Sequence, residues 1–421
     1  MTTSVRVPAG REAGRGPVRR AERTLAPDLA RGAMLLFIAL ANSAGVFLPD
    51  GPGFSTDPHG PERIWNLVLN VFVHARAYPM FAVLFGYGLV QLARRQDIAT
   101  GDPRVARRVL LRRNAWLVVF GFVHAALLYS GDFLGGYGLV GIAFTLLLLR
   151  RSDRVHLLAP GYQAASLVYA VVLAVLVLVG LGHGGHATLG GAGETSLSAT
   201  GYLPAMLARL TEWPVHTATL FGFILIVWIG AWAARRRILE EPEKHVRLLV
   251  AATAGGLGVA FAGGTPMGLF SAGWLHPDRP TLGLITQLHQ ASGQFGGVGF
   301  VAAFGLVALA LQRRHHDPRT GIVVGSLTAL GQRSLSGYLF QSVCWLLLAS
   351  SYTLALKDAT GSPTFVAAGC SLGVWLASVA AARWLDSRER RGPAETLLRR
   401  LAYGRRRHPA DRPGTASPRH R

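Results

Sequence analysis

The chain is short of cysteine, lysine and acidic residues. Only two cysteines, Cys344 and Cys370, occur in 421 residues. Both fall inside apolar blocks, which excludes a disulfide framework and any cysteine-type metal spacing. Lysine occurs only at Lys244 and Lys357. The other basic residues are arginines, an excess we read as compositional bias. Charged residues make up 15% of the chain, against about a quarter in a soluble domain. Familiar catalytic signatures are lacking too. There is no phosphate-binding G-x-x-x-x-G-K-[ST], no H-E-x-x-H and no G-x-S-x-G. No inverted repeat of the kind many transporters carry is visible. His183 and His186 form a loose H-x-x-H in a Gly/Ser/Thr-rich segment, a weak metal signal, and no metal site is assigned. His315-His316 lies in a basic loop and is read as solvated.

What is present is apolar, and it comes in blocks. Half of the chain is hydrophobic. About 20 such residues in a row cross the roughly 30 Å hydrocarbon layer of a bilayer. The blocks predict an all-α, polytopic integral membrane bundle of about ten transmembrane helices. The expected spans are Ala30–Leu48, Tyr78–Ala93, Asn114–Ser130, Phe133–Leu149, Leu157–Leu181, Val215–Ala234, Leu248–Phe270, Gln290–Gln312, Ser334–Leu354 and Phe365–Trp384. The segment after the basic N-terminus lacks a convincing cleavage site and is read as a retained first helix. Residues 1–25 and 405–421 read as disordered basic tails, and residues 26–404 as one transmembrane helical domain.

The net charge of +21 does not point to nucleic acid, because the basic residues sit in short loops between apolar blocks. With both termini on the cytoplasmic side, the inside segments hold 37 of the 43 Lys and Arg. The outside segments hold Arg63, Arg209, Arg279 and Lys357, while Arg76 and Arg333 lie at or near span ends. That asymmetry matches the positive-inside rule. It points to a multi-pass chain with the lipid bilayer as its main partner and no reading of its oligomeric state.

Residues 64–93 would make a helix of about 45 Å, too long for one crossing. Pro79 offers a break. Ile64–Ala75 is therefore expected to be an interfacial or re-entrant helix, with Asn66, Asn70 and His74 as one polar stripe.

Ionisable and polar groups within spans are costly and mark candidate sites, although many simply bond neighbouring helices. Arg31 opens the first span, with Asp28 one turn before it and Asn42 three turns on. His124 lies in the third span and Asp132 at the turn Tyr129-Ser130-Gly131-Asp132. A straight helix would hold these two about 12 Å apart, so contact requires a bend at Gly131. Asp132 also suits a helix cap. Gln287, Gln290 and Gln294 mark one face of the eighth span, beside His289. Arg333 opens the ninth, followed at helical spacing by Ser334, Tyr338, Gln341 and Ser342.

Four stretches carry a resemblance. They are Asp28-Leu29-Ala30-Arg31-Gly32-Ala33-Met34-Leu35 with Asn42; Met80-Phe81-Ala82-Val83-Leu84-Phe85-Gly86-Tyr87-Gly88; Gly121-Phe122-Val123-His124 through Ser130-Gly131-Asp132; and Gly331-Gln332-Arg333-Ser334-Leu335-Ser336-Gly337-Tyr338-Leu339-Phe340-Gln341-Ser342. A further stretch, Gly392-Pro393-Ala394-Glu395-Thr396-Leu397-Leu398-Arg399-Arg400-Leu401, resembles a family ending. Together they resemble the YeiB-like family of bacterial membrane proteins, domain of unknown function 418, over residues 25 to 404. Gly337 stands where the family usually has Asn, and Pro27-Asp28 replaces a Leu-Asp lead-in.

The family's function is not established. Its remote similarity to transmembrane acyltransferases implies transfer of an acyl group from cytoplasmic acyl-CoA to an outer-face or lipid-linked acceptor. It also implies an intramembrane histidine, for which His124 and His74 are the candidates. Asp132 would orient it, and Arg31 and Arg333 would hold the donor phosphates. Asn42, Tyr338 and Gln341 complete the expected binding residues. No other cofactor is expected. The alternatives are a transporter or exporter, with His124 and Asp132 relaying protons along a polar path, and a scaffold without chemistry.

Overall fold

The computed structural model describes residues 24–48, 51–191, 194–314, 321–358 and 361–403. The expected disordered tails and His315-His316 lie outside these residues, apart from Thr24 and Leu25. The described residues are helical, with no strand among them. In chain order the first elements are α1 (Leu25–Phe47), α2 (Pro61–Phe72), α3 (Ala77–Thr100), α4 (Pro103–Leu127) and α5 (Leu134–Leu147). Next come α6 (Asp153–His156), α7 (Leu158–Gly180), α8 (Thr195–Ser198), α9 (Tyr202–Thr219) and α10 (Ile224–Arg235). The last are α11 (Val246–Ser271), α12 (Arg279–Arg314), α13 (Ile322–Gln332), α14 (Ser334–Ala349), α15 (Pro363–Ser387) and α16 (Pro393–Tyr403).

Eight helical stretches are long and apolar enough to cross a membrane. The two remaining expected spans fall on α5 and α14. These have 14 and 16 residues, or roughly 21 and 24 Å at 1.5 Å per residue, and are shorter than a full crossing. Several helices present bare apolar faces. On α7, Val168, Val171, Val172, Val175, Leu178 and Val179 are all exposed. A face of this kind fits lipid, not water. The chain is a multi-pass membrane helix bundle.

The break between α2 and α3 lies at Ala75, with φ of +60°, four residues before Pro79. Pro79 sits instead in the first turn of α3. There its missing N–H costs nothing, because first-turn donors lack helical acceptors anyway. The Asn66/Asn70 stripe packs on α11: Asn66 Nδ2 donates to the Ser271 carbonyl at 2.7 Å and Asn70 Nδ2 to Ser271 Oγ at 3.0 Å.

Small residues set two close helix crossings. A Cβ on Gly86 would strike the Val227 carbonyl, and one on Gly230 would strike the Val83 carbonyl. This reciprocal contact brings α3 and α10 together at backbone distance. Gly32 against Leu327 and Gly331 against Asp28 do the same for α1 and α13. The Asp28–Arg31 turn and Arg333 are thereby brought to the same end of the bundle.

Candidate functional site

The amides of Leu128 and Tyr129 both donate to the His124 carbonyl, at 2.8 and 3.2 Å, which ends α4. The chain then folds back through Gly131. Asp132 Oδ1 accepts from Leu134 N at 3.1 Å, and Oδ2 from Gly135 N at 2.7 Å. The carboxylate therefore caps α5. The same Oδ1 lies 2.9 Å from His124 Nδ1, and Trp213 Nε1 donates to Oδ2 at 3.3 Å. A carboxylate only accepts, so Nδ1 carries the hydrogen and Nε2 presents its lone pair. That lone pair faces Ser342 Oγ on α14, 2.8 Å away. The hydroxyl's other acceptor, the Tyr338 carbonyl, is farther at 3.3 Å. All three side chains are buried. The order is that of nucleophile, base and orienting acid.

Below this chain lies a cavity of about 860 Å³. One end is lined by Arg31, Arg94, Arg95, Arg113, Arg237 and Arg399, with Asp28, Glu240 and Glu395 among them. The rest is aromatic and apolar, lined by Tyr78, Phe81, Phe133, Tyr137 and Tyr338, with Phe85 under the Arg113 guanidinium, 5.8 Å from the ring centre, where the two parts meet. The polarity follows from the helices. α4 places Arg113 at the basic end, then Leu117, then His124 about 10 Å farther along its axis. α14 begins at the basic end with Ser334 and Leu335, reaches Tyr338 at the cavity, and carries Ser342 one turn beyond. On the far side of the chain is a recess of about 20 Å³ lined by Tyr129, Ser130, Arg209, Trp345 and Tyr352. Ser342 thus falls between Tyr338, on the cavity, and Trp345, on the recess. Asp132 likewise falls between Phe133 and Ser130. His124, Asp132 and Ser342 line neither space and are buried in the layer of side chains between the residues that do.

Tyr338 roofs the cavity, with its ring 5.1 Å from the His124 imidazole and its hydroxyl accepting from Phe133 N at 3.4 Å. Asn42 accepts from Tyr78 OH at 3.0 Å, which fixes a cavity-lining ring. Gln341 Nε2 donates to the Leu35 carbonyl at 3.1 Å and ties α14 to α1. Arg31 lies at the basic mouth, its NH2 donating to the Leu84 carbonyl at 3.2 Å, with Asp28 at 3.8 Å.

The remaining two sequence candidates lie elsewhere. Arg333 is buried beside the cavity lining. It donates to the carbonyls of Ala329 and Arg390 and lies 3.3 Å from Asp386, locking the α13–α14 junction to α15. His74 sits at the α2–α3 elbow. Its carbonyl accepts from Arg76 NH1 at 2.6 Å, and its ring neighbours Gly53. It does not meet His124.

Two features were not singled out by the sequence. Ser342 was visible only as part of a polar stripe on α14. Arg76 is fully buried, bonds His289 Nδ1 at 3.0 Å and donates to the Ala260 carbonyl at 2.5 Å. An arginine inside an apolar run was the one available signal for it.

The family described as "Protein of unknown function (DUF418)" matches residues 233–405, which carry α14, α15 and α16. Uncharacterized protein YeiB of Escherichia coli (strain K12) is 33% identical over 38% of this chain, a match spanning 39% of that protein. Uncharacterized protein YxaH of Bacillus subtilis (strain 168) is 24% identical over 80% of this chain and 81% of its own length. An uncharacterized 39.9 kDa protein of Bacillus acidopullulyticus is 32% identical over 30% of this chain and 34% of its own length. No solved structure matches the chain significantly. The α14 and α16 motifs lie inside the region that matches the DUF418 family, and a relative similar to this chain runs through most of its length.

Proposed function

We propose that the chain is a transmembrane acyltransferase. In this reading an acyl group enters from cytoplasmic acyl-CoA and leaves on an acceptor hydroxyl or amine at the outer face. The observation that carries it is one arrangement: a deep cavity, basic at its mouth and apolar within, ends beneath a buried His–Asp pair. Guanidinium forks suit phosphates, aromatic walls suit an acyl thioester, and a volume of about 860 Å³ falls within the usual range for ligand sites. His124 Nε2 is the general base and Asp132 holds its tautomer. Arg31, with Arg113 and Arg399, receives the donor phosphates. Arg333 supports them by holding the helix junction behind the mouth. Asn42 and Gln341 fix Tyr78 and α14, and Tyr338 closes the apolar end. His74 stays outside this scheme.

Ten crossings with both termini cytoplasmic, in the bacterial inner membrane, complete the proposal. The basic mouth is formed by segments that the positive-inside rule assigns to the cytoplasm. The small recess beyond His124 then faces outward, toward an acceptor. The test is equilibrium binding of a non-hydrolysable acyl-CoA analogue to purified protein, followed by coenzyme A release from acyl-CoA in membranes. Binding below the millimolar range, weakened by added salt, supports the reading. Absence of binding at millimolar ligand, a level worth about −4 kcal/mol, overturns it.

A second reading, export of a small or lipid-like molecule, draws support from the same pair of spaces separated by one layer of side chains. It requires the septum to open and the substrate to cross unchanged. Uptake into vesicles without coenzyme A release would favour it.

A further inference from the structure

We propose that Ser342 is a nucleophile that carries the acyl group as a transient ester between donor and acceptor. The inference rests on the acyltransferase reading and adds a covalent step to it. It starts from two distances, 2.8 Å from Ser342 Oγ to His124 Nε2 and 2.9 Å from His124 Nδ1 to Asp132 Oδ1. A general base that only served an external acceptor would need its lone pair open to that acceptor. Here the lone pair is occupied by a serine hydroxyl drawn from 218 residues away in sequence. The carboxylate is fixed by two backbone amides and an indole, so it offers His124 Nδ1 a stationary acceptor and keeps Nε2 toward Ser342.

Position makes the same point. Donor and acceptor approach from opposite sides of a septum, and a direct transfer would require both to reach one point at once. Ser342 lies within that septum, one turn above the cavity-lining Tyr338 and one turn below the recess-lining Trp345 and Leu346. Ser342 is fully buried and lines neither space, so an ester there is reached from each side in turn as the layer parts toward that side.

The chemistry balances. As Ser342 Oγ adds to the thioester carbonyl, its proton passes to His124 Nε2. The tetrahedral intermediate collapses with cleavage of the C–S bond, and His124 returns the proton to the departing sulfur. In the second half, an acceptor O–H or N–H gives its proton to His124 as it attacks the ester carbonyl. The C–O bond to Ser342 breaks, and Oγ takes that proton back.

The test uses full-length protein in lipid nanodiscs with radiolabelled acetyl-CoA and palmitoyl-CoA and no added acceptor. After acid quenching and denaturation, the wild type should retain label on the Ser342 peptide, stable to neutral hydroxylamine. Ser342→Cys should retain it as a thioester released by neutral hydroxylamine, a signature that a merely positioning hydroxyl would not give. Ser342→Ala should be unlabelled, remain folded by thermal unfolding, and release coenzyme A at least roughly a thousandfold more slowly. Coenzyme A release by Ser342→Ala close to the wild-type rate, or wild-type release without label, overturns the nucleophile while leaving the acyltransferase reading intact. Wild type that neither binds nor cleaves either donor overturns both.

Discussion

Asp132 reaches back over the end of α4 and holds His124 Nδ1 at 2.9 Å, with both side chains withdrawn from solvent. The contact exists because the helix ends at Leu127 and the next residues reverse direction. The same carboxylate starts α5, so the base and the next helix share one anchor. His124→Ala is expected to lower transfer by about 10² to 10⁴-fold, the usual weight of a positioned base. Asp132→Asn should lose a similar amount, since an amide does not hold the same tautomer, and the double variant should be no slower than the worse single one. Coenzyme A release in membranes, normalised to folded protein, is the measurement. Full activity of both single variants would remove this pair from the mechanism.

The mouth and the frame behind it make separable contributions. Arg31→Lys keeps the charge but loses the planar fork. It should weaken acyl-CoA analogue binding by about tenfold, or roughly 1.4 kcal/mol. Gly88→Ala should act in the same direction, because its new Cβ would lie 3.2 Å from Arg31 NH2. Arg333→Ala should behave differently. It removes one partner of buried Asp386, which keeps Arg383 at 4.0 Å, and a donor to each of two carbonyls, a loss of about 1–3 kcal/mol, while the folded fraction binds ligand near the wild-type affinity. Stability is read from detergent thermal unfolding and affinity from titration. An Arg333→Ala that is fully stable but cannot bind would transfer the phosphate role to it.

Orientation is testable without knowing the substrate. Reporter fusions after Glu62, Gly190 and Asp358 should report the outer side, and those after Arg104 and Glu241 the cytoplasm. The short helices α5 and α14 decide the outcome. If either fails to cross, every later fusion reverses. A reversal would put Arg399 on the opposite side from Arg31 and Arg113 and break the single cytoplasmic mouth on which acyl-CoA binding rests.

Much of this architecture was legible because apolar runs are local. The ten expected spans correspond to the eight long stretches plus α5 and α14. The four resembling motifs also mesh physically. Gly32 of the first packs where Gly331 of the fourth meets Asp28, Gly86 of the second meets α10, and His124 of the third bonds Ser342 of the fourth. Glu395 of the tail accepts from the amides of Leu335 and Ser336 at the start of α14. What sequence did not reveal is what depends on pairs far apart in the chain. The His124–Asp132 contact needed only the local bend expected at Gly131, and the short helix was expected to end at Ala75, where the chain breaks, whereas Ser342 comes from 218 residues away. The cavity takes one or two residues from each of many helices, so no local window contains it.

Arg76 is a further buried cation, and it acts on packing. Its guanidinium reaches the Ala260 carbonyl on α11, His289 on α12 and the His74 carbonyl at its own elbow. A single side chain thus ties three segments around the strained Ala75. Two glycines make room for it: a Cβ on Gly264 would meet NH2, and one on Gly296 would lie 2.7 Å from Cγ. Arg76→Lys keeps the charge but cannot span three acceptors. Each carbonyl left unpaired in the bundle costs about 1–3 kcal/mol, so a loss of a few kcal/mol is expected. Gly264→Ala should destabilise by displacing the same group. The two changes act on one network, so Arg76→Lys with Gly264→Ala should cost less than their sum. Unfolding in mixed detergent–SDS micelles measures all four corners of the cycle. Simple additivity would show that Gly264 is small for its own helix contact, and that the space around Arg76 is incidental.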